Sequence, residues 1–195
     1  MAIRLKNRWH RAYPDQVLRK TLQDHAGALG FIGWKVSLET ARNLHGEGFE
    51  YDSDKERVGV ITEFIAYTVH LCDRLAHARL GQAQRDIFVN ALAKWFADYL
   101  QGNLADIAGP GDYRPPFVAL LNRRVADYSE LSFNDASPGY DLIRYLGKAV
   151  LDVMGETQTN RWVIDQVIEI DGPQVWEQIQ KSFDNLFLVE PEGLE

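Results

Sequence analysis

The sequence predicts an all-α fold, a single-domain bundle of about six to seven helices. Its 195 residues fit one domain of ordinary size, and 46% of them are hydrophobic, which is enough to build a core. Apolar residues recur at helical spacing over roughly three-quarters of the chain, against about one-third helix in typical globular proteins. No segment shows the sustained period-two alternation of a half-buried strand. The predicted helices cover residues 15–44, 54–80, 83–108, 116–131, 139–155, 159–170 and 173–188.

Local signals mark the boundaries of the first three helices. Gly46 and Gly48 suit the C-terminal end of the first helix, because glycine adopts the left-handed conformation there at little cost. Ser53 and Asp54 offer N-caps to the second helix, and Gly81 separates the second helix from the third.

Proline and glycine mark the later boundaries. Gly109-Pro110-Gly111 ends the third helix, Pro115-Pro116 fits the start of the fourth, and Ser137-Pro138-Gly139 precedes the fifth. Gly172-Pro173 opens the last helix, because the first helical position does not need the N–H that proline lacks. The gaps are short, as turns within one bundle are, and none is typical of an interdomain linker.

Three glycines interrupt the first predicted helix. Gly27, Gly30 and Gly33 lie three residues apart, and each costs about 1 kcal/mol relative to alanine in a helix interior. Either the helix breaks there, or the small residues form a stripe that another helix approaches closely. A phosphate-binding loop is not indicated, because no Gly-Lys-Ser/Thr follows and no strand precedes the glycines.

The second predicted helix carries a polar stripe. Glu63, His70, Asp73 and His77 fall within one narrow sector of the helix at about 100° per residue. Carboxylate and imidazole side chains at such spacing hold metal ions in some helical bundles. One hypothesis is therefore a divalent metal site, for zinc, iron or manganese, in a metal-binding protein or metal-dependent enzyme.

The same stripe has a simpler interpretation as a solvated surface. It lies opposite the apolar face of the helix, and stripes in that position usually contact water. One helix cannot close a metal site, and the Glu-x-x-His pattern of di-iron bundles does not occur in the chain. Cys72 lies within the apolar face, where it is expected to be a small buried hydrophobic residue.

Charge is distributed unevenly along the chain. The net charge is −7, yet residues 1–20 contain six basic residues and one acidic residue. The basic N-terminal arm, about residues 1–13, is expected to dock on an acidic protein surface. Association of residues 4–20 with nucleic acid is a weaker hypothesis, because no zinc-finger spacing, aromatic RNA-binding motif or helix-turn-helix accompanies it.

Composition also bears on the compartment. Cys72 is the single cysteine, so an internal disulfide is impossible, and no apolar run reaches the roughly 18 residues that span a bilayer. We expect a cytoplasmic protein without a membrane segment. Leu194-Glu195 is typical of residues left by a purification tag, so the predicted domain covers residues 1–193.

No catalytic motif is evident, which favours a non-catalytic protein. The chain contains neither a Gly-x-Ser-x-Gly nucleophile elbow nor a His-Glu-x-x-His metal motif. The leading prediction is a helical protein that needs no cofactor, acts through protein–protein contacts and forms a homodimer. The metal site and the nucleic-acid arm are the alternatives.

Overall fold

The computed structural model describes residues 21–134 and 137–188. Of these residues, 81% are helical, which confirms the predicted all-α fold. The helices are α1 (Leu22–Gly46), α2 (Asp54–His77), α3 (Gln82–Ala108), α4 (Arg114–Ser129), α5 (Tyr140–Met154), α6 (Val163–Gln166) and α7 (Gly172–Phe187). The predicted basic arm and the Leu194-Glu195 end lie outside the described residues.

Capping residues mark the helix ends. Thr21 and Asp24 form a capping box at the start of α1, where each side chain accepts a hydrogen bond from the other's backbone N–H. The sequence did not predict this cap, because the first helix was expected to begin at residue 15. Ser53 caps α2 by accepting from the N–H of Glu56 at 3.2 Å. Gly109 follows α3 with a φ of 88°, a left-handed conformation that favours glycine.

Two regions differ from the sequence prediction. The segment predicted as one helix, 159–170, is divided into a 3₁₀ turn at Asn160–Trp162, the short α6, and a π-helical turn at Val167–Asp171. The apolar pairs Val163-Ile164 and Val167-Ile168 recur four residues apart across the boundary between α6 and the π-helical turn, so the periodicity could not separate these two. The helical backbone also continues through Gly172 into α7, so the predicted break there was wrong. In addition, β1 (Phe133–Asn134) and β2 (Ser137–Pro138) pair antiparallel where the sequence predicted only a break.

The core is built around α2. Every residue from 60 to 72 is buried, including Cys72, which is fully buried as expected. This helix contacts α1, α3, α4, α5 and α7, so it is surrounded by other helices on all sides. A helix in that position must bury its polar face as well as its apolar one.

The three glycines allow α1 and α3 to approach closely. The helix α1 is continuous through them, so the close-approach interpretation is confirmed. A Cβ atom added to Gly27 would lie 3.1 Å from Nε1 of Trp95, and one added to Gly33 would lie 2.8 Å from Cζ of Phe96. The glycines therefore make room for aromatic rings of α3.

Candidate functional site

The structure buries half of the polar stripe on α2. Glu63 is 1% exposed and His70 is 3% exposed, while Asp73 is half-buried and His77 is exposed. The expectation of a solvated stripe was therefore wrong for Glu63 and His70. The helical wheel of α2 placed them opposite the apolar face, but α4 covers that side of the helix.

Glu63 forms a buried ion pair with Arg124 of α4. The guanidinium donates two hydrogen bonds to the carboxylate, from Nε at 2.7 Å and from Nη2 at 2.8 Å. Its third nitrogen, Nη1, donates to the hydroxyl of Tyr145 at 2.7 Å, and that hydroxyl donates to Asp127. The hydrogen bonds to Glu63 raise the pKa of Arg124 above its ordinary value, so the guanidinium stays charged.

His70 lies one to two turns further along α2, against aromatic rings. Its ring centroid is 5.2 Å from that of Tyr128 and 6.3 Å from that of Phe133. Burial lowers the pKa of His70 to about 4, with Arg74 and Arg85 adding to the effect and Asp73 opposing it. The imidazole is therefore neutral at physiological pH.

Two buried polar atoms of this cluster have no hydrogen-bond partner among the described residues. They are Nε2 of His70 and the hydroxyl oxygen of Tyr128. Burial also raises the pKa of Tyr128 well above its ordinary value, so its hydroxyl stays protonated. Unsatisfied polar atoms destabilise a core by about 1–3 kcal/mol each, so this part of the interior is less stable than a fully paired one.

The other half of the stripe pairs with α3. Arg85 donates to both carboxylate oxygens of Asp73, at 2.6 and 2.5 Å. Its remaining terminal nitrogen lies 3.2 Å from Nδ1 of His77. Asp73 and His77 thus share one arginine at the α2–α3 turn, apart from the Glu63–Arg124 pair.

This arrangement bears on the metal hypothesis. Arginines bind the carboxylates of Glu63 and Asp73 with two hydrogen bonds each. A metal ion would have to displace both arginines before it could use those oxygens. Within residues 21–134 and 137–188, no group of three or more His, Cys, Asp and Glu side chains is placed to hold a metal.

A second feature, which the sequence interpretation missed, is an exposed apolar ridge on α3. At helical spacing Trp95 shares one arc of α3 with Phe88, Leu92 and Phe96, a pattern that predicts core packing, and the latter three are fully buried. Trp95 is 43% exposed. The ridge consists of four residues spaced four apart, of which Ile87 and Trp95 are exposed and Ala91 and Tyr99 are partly buried.

One end of the ridge is exposed, and the other is anchored. Ile87 is 46% exposed. Trp95 packs over Gly27 and against Tyr99, whose ring stacks on buried Trp34 with centroids 5.7 Å apart. The signal was present in the sequence, because all four positions, spaced four residues apart, are apolar or aromatic.

Comparison with known proteins identifies no relative. The chain matches no family model, and no curated protein or solved structure matches it either. Among the described residues, no helix is both long enough and apolar enough to cross a bilayer.

Proposed function

We propose that this protein is non-catalytic and acts through protein–protein contacts, with the ridge of α3 joining two copies of the chain. The observation that carries the proposal is the pair of exposed side chains Ile87 and Trp95, about two turns apart on one side of α3. Exposed tryptophans set among other apolar side chains are enriched at the centres of protein interfaces.

The shape of the ridge suits a second copy of itself. Side chains four residues apart form one of the two natural ridges of a helix, and two such ridges interdigitate in the commonest helix-packing arrangement. The row from Ile87 to Tyr99 covers 12 residues, or about 18 Å of helix, and stays within about 120° of its circumference. A two-fold dimer requires a surface that is complementary to itself, and this geometry provides one.

The side chain at the centre of the ridge is already ordered. Trp95 is fixed between the glycines of α1 and the ring of Tyr99, so little side-chain entropy remains to be lost on association. This rigidity is typical of a residue that anchors an interface.

Lysine substitution at the exposed end of the ridge tests the proposal. We expect the wild type to be a dimer by sedimentation velocity between about 1 and 100 μM, as a standard-size interface should be occupied there. The variant Ile87→Lys should raise the dimer dissociation constant at least about 10-fold, because two ammonium groups would enter the interface.

The matched control places the same charge elsewhere. Val118 on α4 is 45% exposed and lies outside the ridge. The variant Val118→Lys should remain dimeric. A wild type that is monomeric at about 100 μM, or a control that dissociates as much as the ridge variant, would rule the proposal out.

A further inference from the structure

The junction between α6 and α7 buries a carboxylic acid. Asp171 is the last residue of the π-helical turn Val167–Asp171, and it is 3% exposed. Gln166 donates a hydrogen bond to its carboxyl group, but Oδ2 has no partner among the described residues. A buried carboxylate with one oxygen unpaired is costly, whereas the neutral acid costs much less.

The groups that face Asp171 offer no positive charge to it. From the α1–α2 connection it faces the carboxylate of Glu47 and the phenol of Tyr51, whose hydroxyl donates to the carbonyl of Ala41. Burial raises the pKa of Tyr51, and Arg57 opposes that rise. Arg57 is bound to Asp54 through Nη2, while its buried Nε has no partner among the described residues. From α5 the junction meets the apolar side chain of Ile143, and α7 continues from it with Gly172-Pro173.

These surroundings determine the pH at which Asp171 ionises. Burial, reinforced by the negative charge of Glu47 and opposed by the hydrogen bond from Gln166, raises the pKa of Asp171 to about 6. The ordinary value is 3.8, so the buried arrangement is fully favoured below about pH 4 and loses stability as the pH rises through 6.

The backbone at this point has a second conformation available. Asp-Gly-Pro is a typical helix start, in which the aspartate caps the helix in an extended conformation and proline follows in the first turn. The structure shows instead a helical backbone at Asp171, with φ −70° and ψ −42°, and no capping hydrogen bond. Because Pro173 has no N–H, the helix already lacks one hydrogen bond across this junction, and a break there sacrifices fewer bonds than elsewhere.

We propose that the π-helical turn Val167–Asp171 is a pH-sensitive hinge, closed while Asp171 is protonated and opened when it ionises. In the open state the carboxylate leaves the interior and caps α7, where it accepts a hydrogen bond from the N–H of Gln174 and faces the positive end of the helix dipole. The structure presented here is the closed state.

Hydrogen–deuterium exchange of the full chain tests the hinge. Between pH 4 and pH 7.5, after correction for the intrinsic chemical rate, exchange of amides in residues 167–176 should accelerate by up to about 60-fold, because the acid has a pKa of about 6 in the closed state and near the ordinary 3.8 once exposed. In Asp171→Asn, protection of these amides should be high and independent of pH. The control Asp165→Asn, at an exposed aspartate on α6, should follow the wild type.

A second variant keeps the test decisive if Asp171→Asn folds poorly. Glu47 is exposed, and Glu47→Gln removes the negative charge that opposes ionisation of Asp171. The transition in exchange should then move to lower pH. Protection that does not change with pH in the wild type, or a transition unaffected by either substitution, would overturn the proposal.

Discussion

Arg123 and Arg124 are neighbours on α4 with opposite surroundings. Arg123 is exposed, whereas the side chain of Arg124 is 14% exposed and bonded to Glu63 and Tyr145. The sequence shows two equivalent arginines, and only their orientation toward α2 distinguishes them. Glu63 depends on one of them, because a buried carboxylate without its counter-ion is far less stable than a paired one.

Removing Arg124 should therefore destabilise the fold strongly. We expect Arg124→Ala to lower the free energy of unfolding by about 3–5 kcal/mol, since it leaves Glu63 charged and unpaired. Arg123→Ala should change it by no more than about 0.5 kcal/mol, as usual for exposed sites. Urea unfolding monitored by circular dichroism measures both.

A second substitution, at Glu63, tests whether the unpaired carboxylate causes the loss of stability. Adding Glu63→Gln to Arg124→Ala should recover part of the lost stability, because a buried neutral amide costs less than a buried charge. If Arg124→Ala costs less than about 1 kcal/mol, or Glu63→Gln recovers nothing, Glu63 is not held by this pair.

At the scale of elements, α1 and α3 contain glycines with distinct roles. A Cβ atom added to Gly33 would lie 2.8 Å from Cζ of Phe96 and 2.9 Å from Cγ2 of Thr68, both in the core. Gly102 of α3 has no heavy atom within 4 Å of the corresponding position. One glycine is required by packing, and the other only weakens its helix.

Alanine substitutions should separate these roles by sign. Gly102→Ala should stabilise the protein by about 0.5–1 kcal/mol through helix propensity alone. Gly33→Ala gains the same propensity but forces the core apart, and we expect a net loss of about 1–2 kcal/mol. Thermal unfolding by calorimetry compares the two variants. An increase in stability for both would contradict the packing role of Gly33, because it would show that α1 and α3 can separate at no cost.

The sequence did not predict two local elements, the π-helical turn and the β1–β2 pair. The Val167–Asp171 turn differs from an α-helix by its hydrogen-bond register, which apolar spacing does not encode. The pairing of Phe133 with Pro138 involves only two residues on each strand, too few for an alternating pattern to be recognised.

At the scale of the whole molecule, the central position of α2 determines what its polar stripe can do. The stripe meets arginines from two different helices, Arg124 of α4 and Arg85 of α3. Four residues that share a face of one helix are thereby divided between two ion-pair clusters. The metal hypothesis needs those four side chains to act together instead.

Metal removal tests that hypothesis directly. We expect dialysis against EDTA to change the melting temperature by less than about 1 °C, because both carboxylates already have counter-ions and no bound metal contributes to stability. The His70→Ala variant serves as the comparison. Stoichiometric zinc, iron or manganese in the purified protein, lost in that variant along with several degrees of melting temperature, would establish the metal site instead.

The sequence by itself determined the all-α fold and most helix boundaries. Apolar spacing and capping residues act over a few neighbouring positions, so Ser53 and Gly109 could be interpreted without knowing what surrounds them. The helix start predicted at Gly172-Pro173 was wrong, because the helical backbone runs through it without a cap. The burial of Cys72 followed in the same way from its place on an apolar face.

Only the tertiary structure decided which polar residues are buried and which aromatic residues are exposed. A helical wheel of α2 gives the direction in which Glu63 and His70 point, but it does not show which helix covers them. That helix is α4, whose Arg124 lies 61 residues from Glu63 in the sequence. Trp95 lies near the apolar arc of α3, yet it emerges at the surface because the glycines of α1 seat its ring at the edge of the core. Burial depends on the neighbours that distant segments provide, and a local pattern contains no information about them.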